Sequence, residues 1–407
     1  MFGFANELVD YSIEQVKAVQ FCRAHKVDPK FFTRASPLNF KNTSLIILNM
    51  VKRTVAVEVM NYFNHTDVVL SPSRQAFSEA REKIKYTAFK ELFDKSCELA
   101  ADGGEDARLF KGHRLFAVDG TSFMVGELSK LKDFFGESTT VKGKAMCRIS
   151  GVVDVLNECV VDAAVSPFST GERALAIGQV EKLKPVSNAL YLFDRGYWSP
   201  ELIQKIIGNG QKFLMRLASN AANAPVKGDN GNEYELRKYS FALPDGNVEH
   251  LATNISEQDL SDEDLARLYA KRWGVETKYL ELKEYLQIDA LNSNSSNIAL
   301  QDIYATLYIS NLVAFLCWEA DEIIKKKTDG KSNKHRQKAN RAVCIAALRR
   351  RFVPIFLLGD SLARQRELER FFLDVSKNVT YIGKSKPKPR GKSRFDKRLR
   401  KSSAFVL

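Results

Sequence analysis

The sequence predicts an α/β fold with a helical N-terminal part, a central mixed sheet flanked by helices, and a basic helical C-terminal region. Three observations carry this. Up to about residue 100, apolar residues recur at helical spacing. From Arg114 the texture changes to short apolar runs rich in Val, Ile and Phe, separated by turn residues and helical stretches. From Leu265 the chain again reads as helix, and it ends in a tail with ten Lys/Arg between Lys384 and Lys401. Its 407 residues, 44% hydrophobic and 27% charged, suit a globular chain of two or three domains. The expected spans are residues 1–105, helical; 106–325, the sheet-bearing core, interrupted by a β-rich insertion at about 218–249; and 326–407.

In the first span, Glu7 to Arg23 is amphipathic, and Thr43 to Phe63 is an apolar run long enough for one helix. Ser71-Pro72-Ser73 reads as a helix start, with Ser71 capping and Pro72 at the first position. The helix that follows, to about Ala100, exposes Arg74 and Arg81 near its beginning. These would suit a helix entering a DNA groove, or simply a charged surface helix. Asp102 to Asp106 is the expected boundary.

In the second span, Arg114 to Val118 is a short strand running into Asp119-Gly120-Thr121. Ala145 to Leu156 and Cys159 to Val165 read as a hairpin, Gly171 to Leu183 as a helix. Ala189 to Phe193 is a fourth strand, running into Asp194-Arg195-Gly196-Tyr197-Trp198 and a helix from Pro200. Phe213 to Leu217 is a fifth, and a further strand covers His250 to Asn254 after the insertion. Leu265 to Leu286 follows as one long helix, entered through Ser261-Asp262-Glu263-Asp264, which suits its positive end. An apolar helix from about Leu300 to Glu319, a basic loop Lys325 to Lys338 and helices at Arg341 to Phe356 and Ser361 to Val375 complete the chain.

Composition narrows the function. Six scattered cysteines without a CxxC pair and five histidines apart from them argue against a zinc site or a disulfide framework, and for a reducing, cytoplasmic setting. The N-terminus carries acids early and no basic n-region, unlike a signal peptide. Ile303 to Trp318 is apolar but short for a membrane span and contains Ser310 and Asn311, so no membrane partner is expected. The net charge of +13 resides mostly in the tail, which points to a polyanion or to a solubilising end.

The chemistry centres on Leu265–Leu286. Leu265, Leu268, Val275, Tyr279, Leu282 and Leu286 form an apolar stripe at helical spacing. Beside it, Tyr269, Arg272, Glu276 and Lys283 share a sector of roughly 60° in which Glu276 is the only carboxylate. One acid between two cations and a phenol would suit a metal ligand among phosphate-holding groups, though an ordinary Arg272–Glu276 pair is also open. Asp119 and Asp194 each close an apolar strand, and adjacent parallel strands would set them side by side. With Glu276, three carboxylates could hold two Mg²⁺ ions for in-line phosphoryl displacement. Each Asp could instead be a turn residue, and Asp154 and Asp162 are rival strand carboxylates.

Tyr269-x₂-Arg272-x₃-Glu276-x₆-Lys283, with Val118-Asp119-Gly120-Thr121 and Asp194-Arg195-Gly196-Tyr197, resembles the YREK signature of cut-and-paste insertion-sequence transposases with a DDE triad, the insertion-sequence-four-like family. The resemblance covers residues 110 to about 290 and implies a ribonuclease-H-like core of five mixed strands. It implies Asp119, Asp194 and Glu276 as catalytic metal ligands for two Mg²⁺ ions, with Mn²⁺ able to substitute. It further implies Tyr269, Arg272 and Lys283 as phosphate contacts. The partners would be double-stranded DNA, as terminal inverted repeats and target, and a second copy of the chain. Trp273, which projects away from the apolar stripe, or Trp198 could stack a flipped base, or Trp273 could pack beneath the insertion. The segment between Asp194 and Glu276 is short for this group. A transposase-derived DNA-binding protein without catalysis and another two-metal nuclease on the same fold remain the rival readings.

Overall fold

The computed structural model of the chain describes residues 3–49, 54–104, 107–138, 142–218, 226–227, 233–242, 246–291, 293–329 and 335–382. The basic tail from Lys384, and parts of the expected insertion and of the loop before Arg336, lie outside the described residues.

A mixed sheet forms the centre. Its strands are β1 (Arg114–Gly126), β2 (Ala145–Asp154), β3 (Cys159–Pro167), β4 (Ala189–Phe193) and β5 (Lys212–Leu217). Four more strands follow in the chain: β6 (Val226–Lys227), β7 (Glu233–Tyr234), β8 (Arg237–Ala242) and β9 (Val248–Thr253). The sheet runs β3-β2-β1-β4-β5-β9-β8. β1, β2 and β3 form an antiparallel meander, while β4 lies parallel to β1 and β5 parallel to β4. This is the core arrangement the resemblance implies, but with seven strands where five were expected. The stretch assigned to a separate insertion contributes β8, which pairs antiparallel with β9 and extends the sheet; only β6 and β7 form a ladder of their own. The alternating exposure of β8 is that of an edge strand with one covered face.

The helices of the N-terminal part are shorter than the apolar runs suggest. They are α1 (Phe4–Lys17), α2 (Val19–His25), α3 (Phe40–Asn49), α4 (Val55–Phe63), α5 (Arg74–Glu82) and α6 (Thr87–Asp102). Extended backbone at Ala18 splits the first run, and Ser73, not Ser71, caps α5 by accepting from the Ala76 amide. Gly103 ends α6 with φ of 68°, where a Cβ would collide with the Arg114 guanidinium. That guanidinium closes α6 by donating to the Ala100 and Ala101 carbonyls and pairs with fully buried Asp154 at 2.7 Å. The start of β1 is thereby tied to the end of the helical part, and Asp154 is committed to structure. Asp162 is likewise held by Lys182 at 2.6 Å.

Three helices pack on the sheet: α7 (Ser129–Phe135) and α8 (Glu172–Lys182) on the meander, and α9 (Pro200–Gly208), capped by Ser199, on β5. After the sheet come α10 (Asp262–Lys271), α11 (Gly274–Leu280), a π turn at Glu281–Tyr285 and α12 (Ser296–Thr328). The chain closes with β10 (Arg336–Ala339), α13 (Arg341–Leu357), α14 (Ser361–Ser376) and β11 (Val379–Ile382). The segment expected to be a basic loop therefore includes a strand, and β10 pairs with β11 in a two-stranded ladder.

α12 is 33 residues long, so it has the length as well as the apolar composition to cross a membrane, but 89% of its most apolar window is buried in the fold. Polar groups on its buried part are bonded inside the fold. Asn311 bonds the Val160 backbone and Ser96, Tyr308 meets Ser12, and Asp302 pairs with Arg81. One hydrophobic cluster runs from Ala5 to Val375 around this helix. All six cysteines are free.

Candidate active site

The strand register brings the two aspartates level. Ala117 of β1 lies opposite Leu192 of β4, and the parallel ladder continued by two residues sets Asp119 opposite Asp194. Adjacent strands lie about 4.8 Å apart. β4 stops at Phe193, and Asp194 turns the chain, its Oδ1 accepting from the Arg195 amide at 2.7 Å. β1 does not stop at Asp119 as expected. It continues to Gly126, because residues 119 to 124 stay paired with β2. Asp119 is therefore a mid-strand carboxylate at the point where β4 leaves β1's other edge, and its Oδ1 accepts from the Gly120 amide at 2.9 Å.

The third acid arrives on α11, which is pinned to this point of the sheet by Tyr279. The Tyr279 hydroxyl donates to the Asp119 carbonyl at 2.5 Å and accepts from the Gly151 amide at 2.9 Å. Asp119 and Gly151 are register partners, so one phenol bridges β1 and β2 where the carboxylate sits. Only glycine admits it, since a Cβ at residue 151 would lie 2.9 Å from that oxygen. Glu276 is one helical turn before Tyr279.

The expected single helix is two helices and a π turn. The capping box at Ser261 and Asp264 starts α10 as the sequence implies. At Arg272–Trp273 the turn tightens, with the Val275 amide bonding the Arg272 carbonyl, and Gly274 sits so close to Val155 that a Cβ would come within 2.8 Å of it. After Leu280 the turn widens, because Glu281 is drawn into a buried cluster with Lys278 at 3.0 Å, Ser310 at 3.2 Å and Arg341. Burial alone would push the Glu281 carboxyl up, but Arg341 and Lys278 pull it down to about 2. A π turn shifts the side chains that follow, and here Lys283 donates to Thr121 Oγ1 on β1 at 2.6 Å. The apolar stripe is buried as expected.

Arg272 occupies the middle of the site. It is 4% exposed, and Nη2 bonds Glu276 Oε1 at 3.2 Å. Its guanidinium lies over the rings of Tyr269, 5.8 Å away, and Trp273, 5.2 Å away. Burial would lower its pKa, but Tyr269, Asp194, Glu276 and Asp119 together raise it, so all three carboxylates act on this one cation. Arg272 Nε and the Tyr269 hydroxyl are buried without a hydrogen-bond partner. Burial pushes the Asp119 carboxyl up to about 6, with Glu276 and Glu172 adding to the rise against the Gly120 amide and Arg272. Among the described residues, no three of His, Cys, Asp and Glu stand close enough together to share a metal ion. The acids converge on Arg272, not yet on each other.

The remaining candidates are placed apart. Trp273 is 45% exposed, and Trp198 is half-buried against the core; much of the expected insertion lies outside the described residues. Arg74 is exposed at the start of α5. Arg81 is not on that surface: it is buried, its guanidinium bonding Asp302 at 2.6 Å, Gln301 at 2.9 Å and the Ile298 carbonyl. Phe77, Ala80 and Ile84 share its buried face, and that spacing was the signal. Two residues escaped the sequence reading. Tyr279 counted only as part of the apolar stripe, and Glu172 not at all.

Comparison with known proteins fits this geometry. Residues 110–312, about half of the chain, match the family described as the transposase DDE domain. Transposase InsG for insertion sequence element IS4 of Escherichia coli (strain K12) is 22% identical over 296 residues, spanning 64% of this chain and 66% of that protein. Putative transposase InsZ of the same organism is 23% identical over 164 residues, spanning 38% and 53%. The chain thus spans less than two thirds of either relative's length. A piggyBac transposase, solved by cryo-EM as a synaptic complex with hairpin DNA, is similar in fold, with a TM-score of 0.52 at 11% identity over 96% of this chain and 89% of that one. The fold is that of the ribonuclease-H-like transposases, and through residues 110–312 the chain belongs to the transposase DDE domain family.

Proposed function

We propose that the chain is a DNA transposase that hydrolyses phosphodiesters at the ends of its mobile element and transfers the freed ends into target DNA. The observation that carries this is the convergence of Asp119, Asp194 and Glu276, from two adjacent parallel strands and a helix fastened to one of them, around a buried arginine.

The residues fit divalent cations of the Mg²⁺ type. The donors are carboxylate oxygens without His or Cys, which suits a hard ion. The Asp119 carboxyl is pushed up first by burial and then by its acidic neighbours, so a cation there would be welcome. Asp119, Asp194 and Glu276 would hold the ions, with Mn²⁺ an accepted substitute. When bound, two such ions stabilise the attacking and leaving oxygens of an in-line displacement.

The protein's own groups do the rest. Arg272 and the Tyr269 hydroxyl have buried donors without partners, and these suit phosphate oxygens, as does Lys283 once it leaves Thr121. In the first step a water oxygen bonds to phosphorus and the P–O3′ bond breaks, leaving a 3′-hydroxyl and a 5′-phosphate. In the second the 3′-oxygen bonds to a target phosphorus, and the target's P–O3′ bond breaks with its oxygen taking up a proton. Trp273, exposed beside Arg272, suits stacking on an unpaired base. Residues 1–105, with exposed Arg74, are proposed to bind DNA, and two copies to act together on paired ends in the cytoplasm, on the nucleoid.

Purified protein with Mg²⁺ should nick duplex DNA that carries the inverted repeats flanking its gene. Glu276→Gln should abolish nicking and keep binding. Nicking by that variant at the wild-type rate would remove Glu276 from the triad.

A further inference from the structure

Glu172, the first residue of α8, stands against the strand that bears Asp119. A Cβ on Gly120 would lie 2.7 Å from both Cδ and Oε1 of Glu172, so the carboxyl group occupies the space that any other residue at 120 would fill. Gly120 is not in the left-handed region, so backbone conformation does not demand glycine there; what its bare face meets is the Glu172 carboxyl group. Arg148 of β2 flanks the carboxylate, its Nε 3.6 Å from Oε1, while Nη1 donates to the Thr170 carbonyl and the guanidinium lies over the Phe168 ring at 5.2 Å. Arg148 thus stands beside Glu172 as an ion-pair neighbour, and the Glu172 charge acts on Asp119.

A second observation comes from Tyr197. It is 2% exposed, its hydroxyl has no hydrogen-bond partner, and both Asp119 and Glu172 act electrostatically on it. A buried unpaired donor is costly, and one beside two carboxylates marks a place where a further oxygen ligand or water would sit. An acid in the first turn of a helix also favours the helix dipole. That role would be met anywhere around the turn and would not require contact with Gly120.

We propose that Glu172 is a fourth carboxylate of the divalent-cation site, delivered beside Asp119 across the bare face of Gly120 and held there by Arg148 until a cation arrives. The proposal rests on the metal-dependent reading above. It gives the site a ligand from α8, an element that carries none of the other three acids.

The test is Mn²⁺ binding by the full-length protein without DNA, followed by calorimetry and by the loss of the free-ion paramagnetic resonance signal. The proteins compared are wild type, Glu172→Gln, Gly120→Ala and the control Glu181→Gln, an acid on the same helix paired with Lys205. Circular dichroism checks that each is folded. Glu172→Gln should weaken Mn²⁺ binding about 10-fold or more, Gly120→Ala should weaken it in the same direction, and Glu181→Gln should leave it unchanged. Equal affinity in wild type and Glu172→Gln would overturn the role of Glu172 while leaving the triad standing. Absence of Mn²⁺ binding in the wild type would overturn both.

Discussion

Removing the Asp119 charge should stabilise the metal-free protein at neutral pH. Its carboxyl is raised from 3.8 to about 6 in the folded chain, first by burial and then by Glu276 and Glu172. A raised folded pKa means that the folded state holds the proton more tightly than the unfolded one. The stability this contributes is complete below about 3.8 and is lost as pH rises through about 6. The shift corresponds to about 3 kcal/mol, and partial exposure of the carboxyl reduces this to about 1–2 kcal/mol. Asp119→Asn removes the titrating group and nearly preserves its shape. Urea unfolding in EDTA, followed by circular dichroism from pH 4 to pH 8, should find the two proteins similar near pH 4. At pH 8 the variant should be more stable by about 1–2 kcal/mol. Added Mn²⁺ should stabilise the wild type at pH 7.5 far more than the variant. Parallel pH profiles, or a variant less stable than wild type at pH 8, would refute the view that Asp119 is short of positive charge.

Three further outcomes are expected. Tyr279→Phe leaves the Gly151 amide and the Asp119 carbonyl without their bridge and should cost about 1–3 kcal/mol in urea unfolding; a change within error would mean the bridge is not made. Arg81→Ala leaves Asp302 buried without its partner and should cost about 3–5 kcal/mol. The salt dependence of DNA binding should stay unaltered in that variant, and a flattened slope would return Arg81 to the DNA-facing surface. Deleting residues 384–407 should weaken binding to all DNA sequences and reduce the salt slope, and an unchanged slope would make the tail a solvated end.

The parts of the site that follow from local pattern were legible in the sequence. An Asp at the end of an apolar run, twice, is readable because strand polarity and spacing are local. The charged seam of Tyr269, Arg272, Glu276 and Lys283 is readable because it is a helical period. What long-range contact decides was not. Tyr279 reads as an apolar stripe residue until Gly151, distant in sequence, is seen to admit its hydroxyl. Glu172 carries no signal in its own helix; Gly120, distant in sequence, is what stands beside its carboxyl group next to Asp119. The π turn depends on Glu281 finding Arg341, which no window around residue 281 contains. β8 reads as part of a separate insertion because turn residues surround it, whereas its pairing with β9 makes it an edge of the main sheet.

The central claim is that Asp119, Asp194 and Glu276 act as one site on a DNA phosphodiester. Single-turnover cleavage of pre-bound end DNA in Mg²⁺, compared among Asp119→Asn, Asp194→Asn, Glu276→Gln and the triple variant, tests it most directly. Groups that work as a unit lose function together, so each single variant should fall to the level of the triple with DNA affinity retained. A single variant that cleaves near the wild-type rate would contradict the account.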